Sequence, residues 1–266
     1  MTVYADLYRY RELFANLFRR DFQAKYRGSV LGILWSLVNP LALMGVYLLF
    51  FGLIFDRGTG VSHYPLYLLS GIACWLFFAT SVQAAARSLL DSAELVKKVR
   101  FPRQLVPFSV VATQLVTFSL MIAILIVLSL VFLPHARSHV WLAIPLGALF
   151  VCFVAGVSLV VACVNVLYRD IEHILTAALF PWFLLTPILW SFSNVPTSEQ
   201  GHHKLLDVLR FGNVVAPPIF AVRAALWSDH APRTADMIYL AVAAVISLAL
   251  GAYVFNRVND RIAVEL

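Results

Sequence analysis
Long stretches without a single charge alternate along this chain with short clusters of charge. Six stretches lack Asp, Glu, Lys and Arg altogether: Val30–Phe55, Tyr64–Ala86, Leu105–Leu133, Val140–Tyr168, Leu175–Val195 and Met237–Asn256. Crossing the hydrocarbon core takes roughly 20 apolar residues, so a transmembrane helix is expected at each. Helices are the expected form because lipid offers no hydrogen-bond partners to an open backbone, and the alternation of a membrane β-barrel is absent. The pattern predicts an all-α integral membrane protein: an interfacial helix over 1–29, then one transmembrane domain over 30–266 with six spans.

Within residues 4–29, Leu7, Tyr10, Phe14, Leu17, Phe18 and Phe22 recur at helical spacing, while Arg9, Arg11, Arg19, Arg20 and Lys25 take much of the remaining surface. Such a basic amphipathic helix suits the inner headgroup layer; a helix flanking the bundle in water has the same pattern. Gly28-Ser29 then turns the chain into span one, where Pro40 predicts a kink. Gly147 and Gly156 in span four permit close helix contact.

The charged island at 88–104 stands between two uncharged runs and carries Asp91, Glu94, Lys97, Lys98, Arg100 and Arg103. Asp91 and Glu94 predict a helix N-terminus, where acids meet exposed N–H groups, and Phe101-Pro102 predicts its end. A short helix on the membrane surface or a solvated loop both fit. A second charged turn, NVLYRDIE (Asn165–Glu172), either pairs with the first or is solvated. The connection at 196–235 is less polar than a loop. Leu205–Phe211 and Ala216–Trp227, with Pro217-Pro218 marking the division at the start of the second, are long enough to dip into the bilayer and too short to cross it. Two outer re-entrant half-helices are expected, with an amphipathic surface hairpin as the alternative.

Composition agrees with the pattern: 61% of residues are hydrophobic and 13% charged, against about 25% charged in soluble domains. With six alternating spans and the N-terminus inside, fourteen Lys and Arg fall on the inner side and six on the outer. The positive-inside rule then places both termini in the cytoplasm. The net charge of +6 suits an anionic inner leaflet; no soluble basic domain is present to carry nucleic-acid binding. Cys74, Cys152 and Cys163 lie in spans without metal-ligand spacing and are expected as free thiols.

Candidate chemistry is sparse. The chain has no G-x-x-x-x-G-K-[ST] phosphate loop, no G-x-G-x-x-G after a strand, no H-E-x-x-H and no G-x-S-x-G. His202-His203 is a poor metal pair. Acidic residues stay at span ends and loops, unlike the buried acids of proton-coupled carriers. No enzymatic function is expected, and the energy source is expected on another chain.

Four segments in order carry a resemblance: KYRGSVLGILWSLVNPLALMGVY (Lys25–Tyr47), LVKKVRFPRQLVP (Leu95–Pro107), NVLYRDIEHIL (Asn165–Leu175) and PWFLLTPILWS (Pro181–Ser191). Together they resemble the permease subunit of ABC-2 type polysaccharide exporters, which carry O-antigen, teichoic acid or capsular glycans across the cytoplasmic (inner) membrane. The resemblance implies a homodimer with two cytoplasmic ATP-binding subunits, a lipid-linked polysaccharide as substrate, and no cofactor on this chain, ATP and Mg sitting on the partner ATPase. It implies that the 88–104 segment, with Asp91, Glu94, Val96, Lys97, Lys98 and Arg100, couples to the ATPase; Arg169 and Asp170 in the second inner turn are candidates for the same contact.

Tyr47, Phe51 and Phe55 fall on one face of span one, and Phe183 and Trp190 on span five. Sugars stack on aromatic rings, so these five are candidates for a glycan channel; lipid-facing packing and interfacial belts fit equally. An ABC-2 exporter of drugs or lipids, or a membrane-embedded lipid-glycan transferase, are the alternative functions.

Overall fold
The computed structural model describes residues 4–29, 32–53, 63–98, 101–190, 208–228 and 230–265. Among them the regular structure is helical: α1 (Ala5–Arg9), α2 (Arg11–Tyr26), α3 (Trp35–Leu53), α4 (Tyr64–Asp91), α5 (Ala93–Lys98), α6 (Leu105–Phe132), α7 (Ala143–Leu167), α8 (Ile171–Leu185), α9 (Ala216–Trp227) and α10 (Thr234–Glu265). Five helices are long and apolar enough to cross a membrane: α3 with its preceding 3-10 turn, α4, α6, α7 with its preceding 3-10 turn, and α10.

The fifth expected span, 175–195, is different. Its helix, α8, begins at Ile171 and stops at Leu185. Fifteen residues rise about 22 Å, less than the hydrocarbon thickness; the rest of the expected crossing falls to Thr186–Trp190 and to 191–195, the latter outside the described residues. Pro187 is the reason: the residue before it, Thr186, is driven to extended backbone with ψ 128°, and the chain turns through Thr186–Trp190. Pro181, by contrast, is absorbed inside α8, as Pro40 is inside α3.

Other boundaries shift for physical reasons. The N-terminal amphipathic stretch is two helices, not one, broken at Tyr10 (φ −108°, ψ 33°). Span two continues as helix beyond Ala86 to Asp91, so Asp91 closes α4 and does not open the next helix. α10 begins before Met237 and runs on past Asn256. The half-helix expected at Ala216–Trp227 is present with those bounds, Pro217 and Pro218 in its first turn, where missing N–H groups cost nothing. Of the other, a π turn covers Val208–Gly212, while 205–207 lie outside the described residues.

α4 is the axis of the bundle. From Tyr67 to Ala79, all but Leu76 are buried, and α3, α6, α7, α8 and α9 pack around it. Stacked Phe77 and Phe118, with ring centroids 4.5 Å apart, and Phe150 and Phe153 fill the interior. α7 and α10 lie against each other so closely that a Cβ placed on Gly156 would come 2.3 Å from the Ser247 carbonyl carbon. Gly147, the other glycine expected at a contact, faces open space.

Candidate functional site
α5 follows α4 after the single residue Ser92, which is 6% exposed. Glu94 stands in its first turn, where an acid meets free N–H groups, and Lys97 and Lys98 in its last, each favoured by the helix dipole. Glu94 and Lys98 form an ion pair at 2.9 Å, with both side chains largely exposed. Val96 points the other way and is 5% exposed. α5 therefore buries one apolar residue towards the bundle and turns Glu94, Lys97 and Lys98 outward, as Asp91 at the end of α4 is. Arg100 lies outside the described residues. Arg20 of α2 donates to Ser92 Oγ at 3.3 Å, so the N-terminal helix touches the junction of α4 and α5.

The second charged turn, Asn165–Glu172, is tied to the same end of α4. Asn165 is fully buried: its amide donates to the Ala86 carbonyl at 2.8 Å, and its carbonyl accepts from the Glu172 backbone N–H at 3.0 Å. Arg87 and Glu172 add an ion pair at 3.1 Å. The second charged turn is thus tied to α4 just before the 88–104 segment, through Arg87, Glu172 and Asn165. Arg169 and Asp170 remain exposed.

The N-terminal helices lean on α6. Gln104 donates to buried Asp6 at 2.7 Å, Ser109 to Asp21 at 2.6 Å, and Lys25 to Gln114 at 2.7 Å; the Tyr26 hydroxyl is 3.2 Å from Thr117 Oγ1. Contacts at 104, 109, 114 and 117 climb α6, so α2 is inclined, its C-terminal end about 18 Å along α6 from Leu105. Its apolar face packs with Leu17 buried, while Arg9, Arg11, Arg19, Arg20 and Lys25 stay exposed. Arg103 reaches the backbone carbonyl of Asn259 on α10.

Of the five aromatic candidates, the structure brings Tyr47 and Phe183 together, with ring centroids 6.1 Å apart. Phe183 is 7% exposed and also packs on Trp75 at 5.6 Å. Trp190 is partly buried, and its carbonyl accepts from the Tyr67 hydroxyl at 2.9 Å. Phe51 lies in α3; its side chain and the whole of Phe55 are outside the described residues. Sequence patterning missed Arg223, counted as an outer-loop cation. It is 6% exposed, donates to the Pro187 carbonyl at 3.0 Å, and lies over the rings of Tyr67 and Phe220 at 4.0 and 4.9 Å. Arg210, another counted cation, forms a largely buried ion pair with Asp236 at 2.9 Å. The only available signal was an Arg within an apolar 12-residue run.

The family described as ABC-2 type transporter matches residues 12–203. The chain is 30% identical to the O-antigen export system permease protein RfbA of Myxococcus xanthus, over 97% of this chain and 96% of that protein. It is 27% identical to the protein of that name from Klebsiella pneumoniae, over 95% and 94%. It is 20% identical to the polysialic acid transport protein KpsM of Escherichia coli, over 90% and 91%. Five helices able to cross a membrane, a short charged helix between two of them, and a match over most of the chain lead to one conclusion: this multi-pass membrane protein belongs to the ABC-2 type transporter family and is a transport subunit.

Proposed function
We propose that this chain is the permease of an exporter that moves a lipid-linked polysaccharide, O-antigen-like or another cell-wall glycan, outward across the cytoplasmic membrane. The observation that carries this reading is the near end-to-end similarity to O-antigen export permeases. Two permeases pair with two ATP-binding subunits in the cytoplasm, where both termini of this chain also lie. α5 is the contact through which the ATPase acts. Its exposed Glu94, Lys97 and Lys98 set the docking register, since charge complementarity fixes orientation more than affinity. Buried Val96 and the short Ser92 junction leave little slack, so displacement of α5 is passed to α4 and α6. Exposed Arg169 and Asp170, in the turn that Asn165 and the Arg87–Glu172 pair tie to α4, extend the same face.

Tyr47, Phe183 and Trp190, with Phe51 and Phe55, supply the aromatic wall that a sugar chain slides past. Phe183 reaches that path after α3 moves away from α8, because it is covered in the described arrangement. The test is co-expression with the ATPase encoded beside it, purification of the complex and reconstitution in vesicles loaded with defined lipid-linked glycans. ATP-dependent appearance of the glycan on the opposite face supports the reading; ATP-dependent movement of unglycosylated lipids or drugs alone overturns it.

A further inference from the structure
A cavity of ≈ 500 Å³ lies between α3, α4 and α6, above the link from α2 to α3. Its polar lining includes Lys25, Tyr26, Ser36, Gln114 and Thr117. The Tyr26 hydroxyl is 2.6 Å from Ser36 Oγ and 3.2 Å from Thr117 Oγ1, and Lys25 Nζ is 2.7 Å from Gln114 Oε1. No carboxylate is among the described residues that line this cavity. Asp21, one turn before Lys25, is engaged by Arg20 at 2.8 Å and by Ser109 at 2.6 Å. Lys25 thus meets the neutral Gln114 amide and, at 5.3 Å, the Tyr26 ring, with no carboxylate partner among the described residues, about 14 Å along α6 from Leu105. A cation at that depth in a membrane protein ordinarily has a partner or marks a ligand site.

We propose that this cavity binds the phosphate of a membrane lipid from the inner leaflet. Lys25 supplies the charge. The Gln114 amide and the hydroxyls of Tyr26, Ser36 and Thr117 supply neutral donors, and hydrogen bonds to a charged group are the stronger kind. The volume falls within the usual range for small-molecule sites. The acyl chains leave along α3 and the 3-10 turn before it, where Leu34, Val38 and Leu41 are 52%, 40% and 45% exposed. The bound lipid would join α2 to α3 across a link with two positive-φ glycines, Gly28 (77°) and Gly32 (50°), and would stabilise their relative position. Two sources share this chemistry: an ordinary anionic phospholipid, and the phosphate end of a lipid-linked glycan. The site does not depend on the polysaccharide reading, since retention is measured without transport.

The experiment is native mass spectrometry of the full-length protein after titration with phosphatidylglycerol, a lipid-linked diphosphate glycan, or diacylglycerol, which has tails and no phosphate. The expected result is retention of a phosphate-bearing lipid and not of diacylglycerol; the one held at lower concentration identifies the source. Lys25→Gln is expected to lower retention about tenfold, the scale of losing one charged hydrogen bond. Lys25→Arg is expected to keep it, as is Arg137→Gln, which removes an exposed cation bonded to the Leu130 carbonyl. Matching elution profiles and helical content exclude misfolding. Equal retention of diacylglycerol, wild-type retention by Lys25→Gln, or no retained lipid at all overturns the proposal.

Discussion

Arg223 stands 4.0 Å over the centre of the Tyr67 ring and holds the Pro187 carbonyl at 3.0 Å, joining the half-helix α9 to α4 and to the turn that ends α8. A desolvated cation on an aromatic face contributes about 2 kcal/mol, and an unpaired buried carbonyl costs about 1–3 kcal/mol. Arg223→Met is therefore expected to destabilise the protein by about 2–4 kcal/mol, read as a lower midpoint of thermal unfolding in detergent. Arg223→Lys is expected to recover only part, because an ammonium lacks the planar group that stacks. A midpoint for Arg223→Met equal to wild type would refute this account.

Gly156 and Gly251 set the approach of α7 and α10, with a Cβ on Gly251 falling 2.9 Å from the Gly156 carbonyl oxygen. The obstructing atoms at both positions include backbone, so side-chain rotation cannot relieve the clash. Gly156→Ala is expected to cost about 1–3 kcal/mol, in the range of overpacking. Gly147→Ala, with nothing within 4 Å of the new methyl, is expected to be neutral or slightly stabilising. The pair is compared by thermal unfolding and by yield of folded protein.

At α5 two substitutions separate docking from packing. Glu94→Lys changes an exposed residue whose ion pair is with Lys98, and exposed pairs contribute little. It is expected to leave insertion and stability unchanged while lowering both ATPase co-purification and export. Val96→Asp buries an unpaired carboxylate and is expected to weaken the permease itself. Wild-type co-purification and export in both variants would remove α5 from the coupling role.

Topology is checked by cysteine labelling in a background without Cys74, Cys152 and Cys163. Position 204 is expected to react with an impermeant reagent from outside, and positions 9 and 261 only after the membrane is opened. The burial of Arg223 and the Arg210–Asp236 pair strengthen this expectation, since neither arginine is then a free outer charge. Labelling of position 261 from outside would reverse the arrangement.

The purified permease alone is expected to hydrolyse no ATP above a mock preparation, and to acquire turnover only with its ATPase. The motive is the missing phosphate loop. Turnover that follows the permease through successive purification steps would contradict it.

Charge and hydropathy along the chain determined much of this protein. Uncharged runs of sufficient length must become helices in lipid, so α3, α4, α6, α7 and α10 were legible, and the bounds of α9 followed from its apolar run and leading prolines. The basic stripe of α2 and the outward charges of α5 were equally legible, because periodicity records which face meets water. Tertiary structure alone decided the rest. Whether a proline bends a helix or ends it depends on what receives the freed groups: Pro181 is carried within α8, while at Pro187 the chain turns and offers its carbonyl to Arg223. Asn165 read as one polar residue in a charged turn, yet it joins α4, α7 and α8, since its partners are the Ala86 carbonyl and the Glu172 N–H. Lys25 read as one of five interfacial cations, yet it alone of these lines the cavity beside Gln114. Such pairings join residues far apart in the chain, and local pattern carries no information about which distant backbone or side-chain group will be brought within hydrogen-bonding reach.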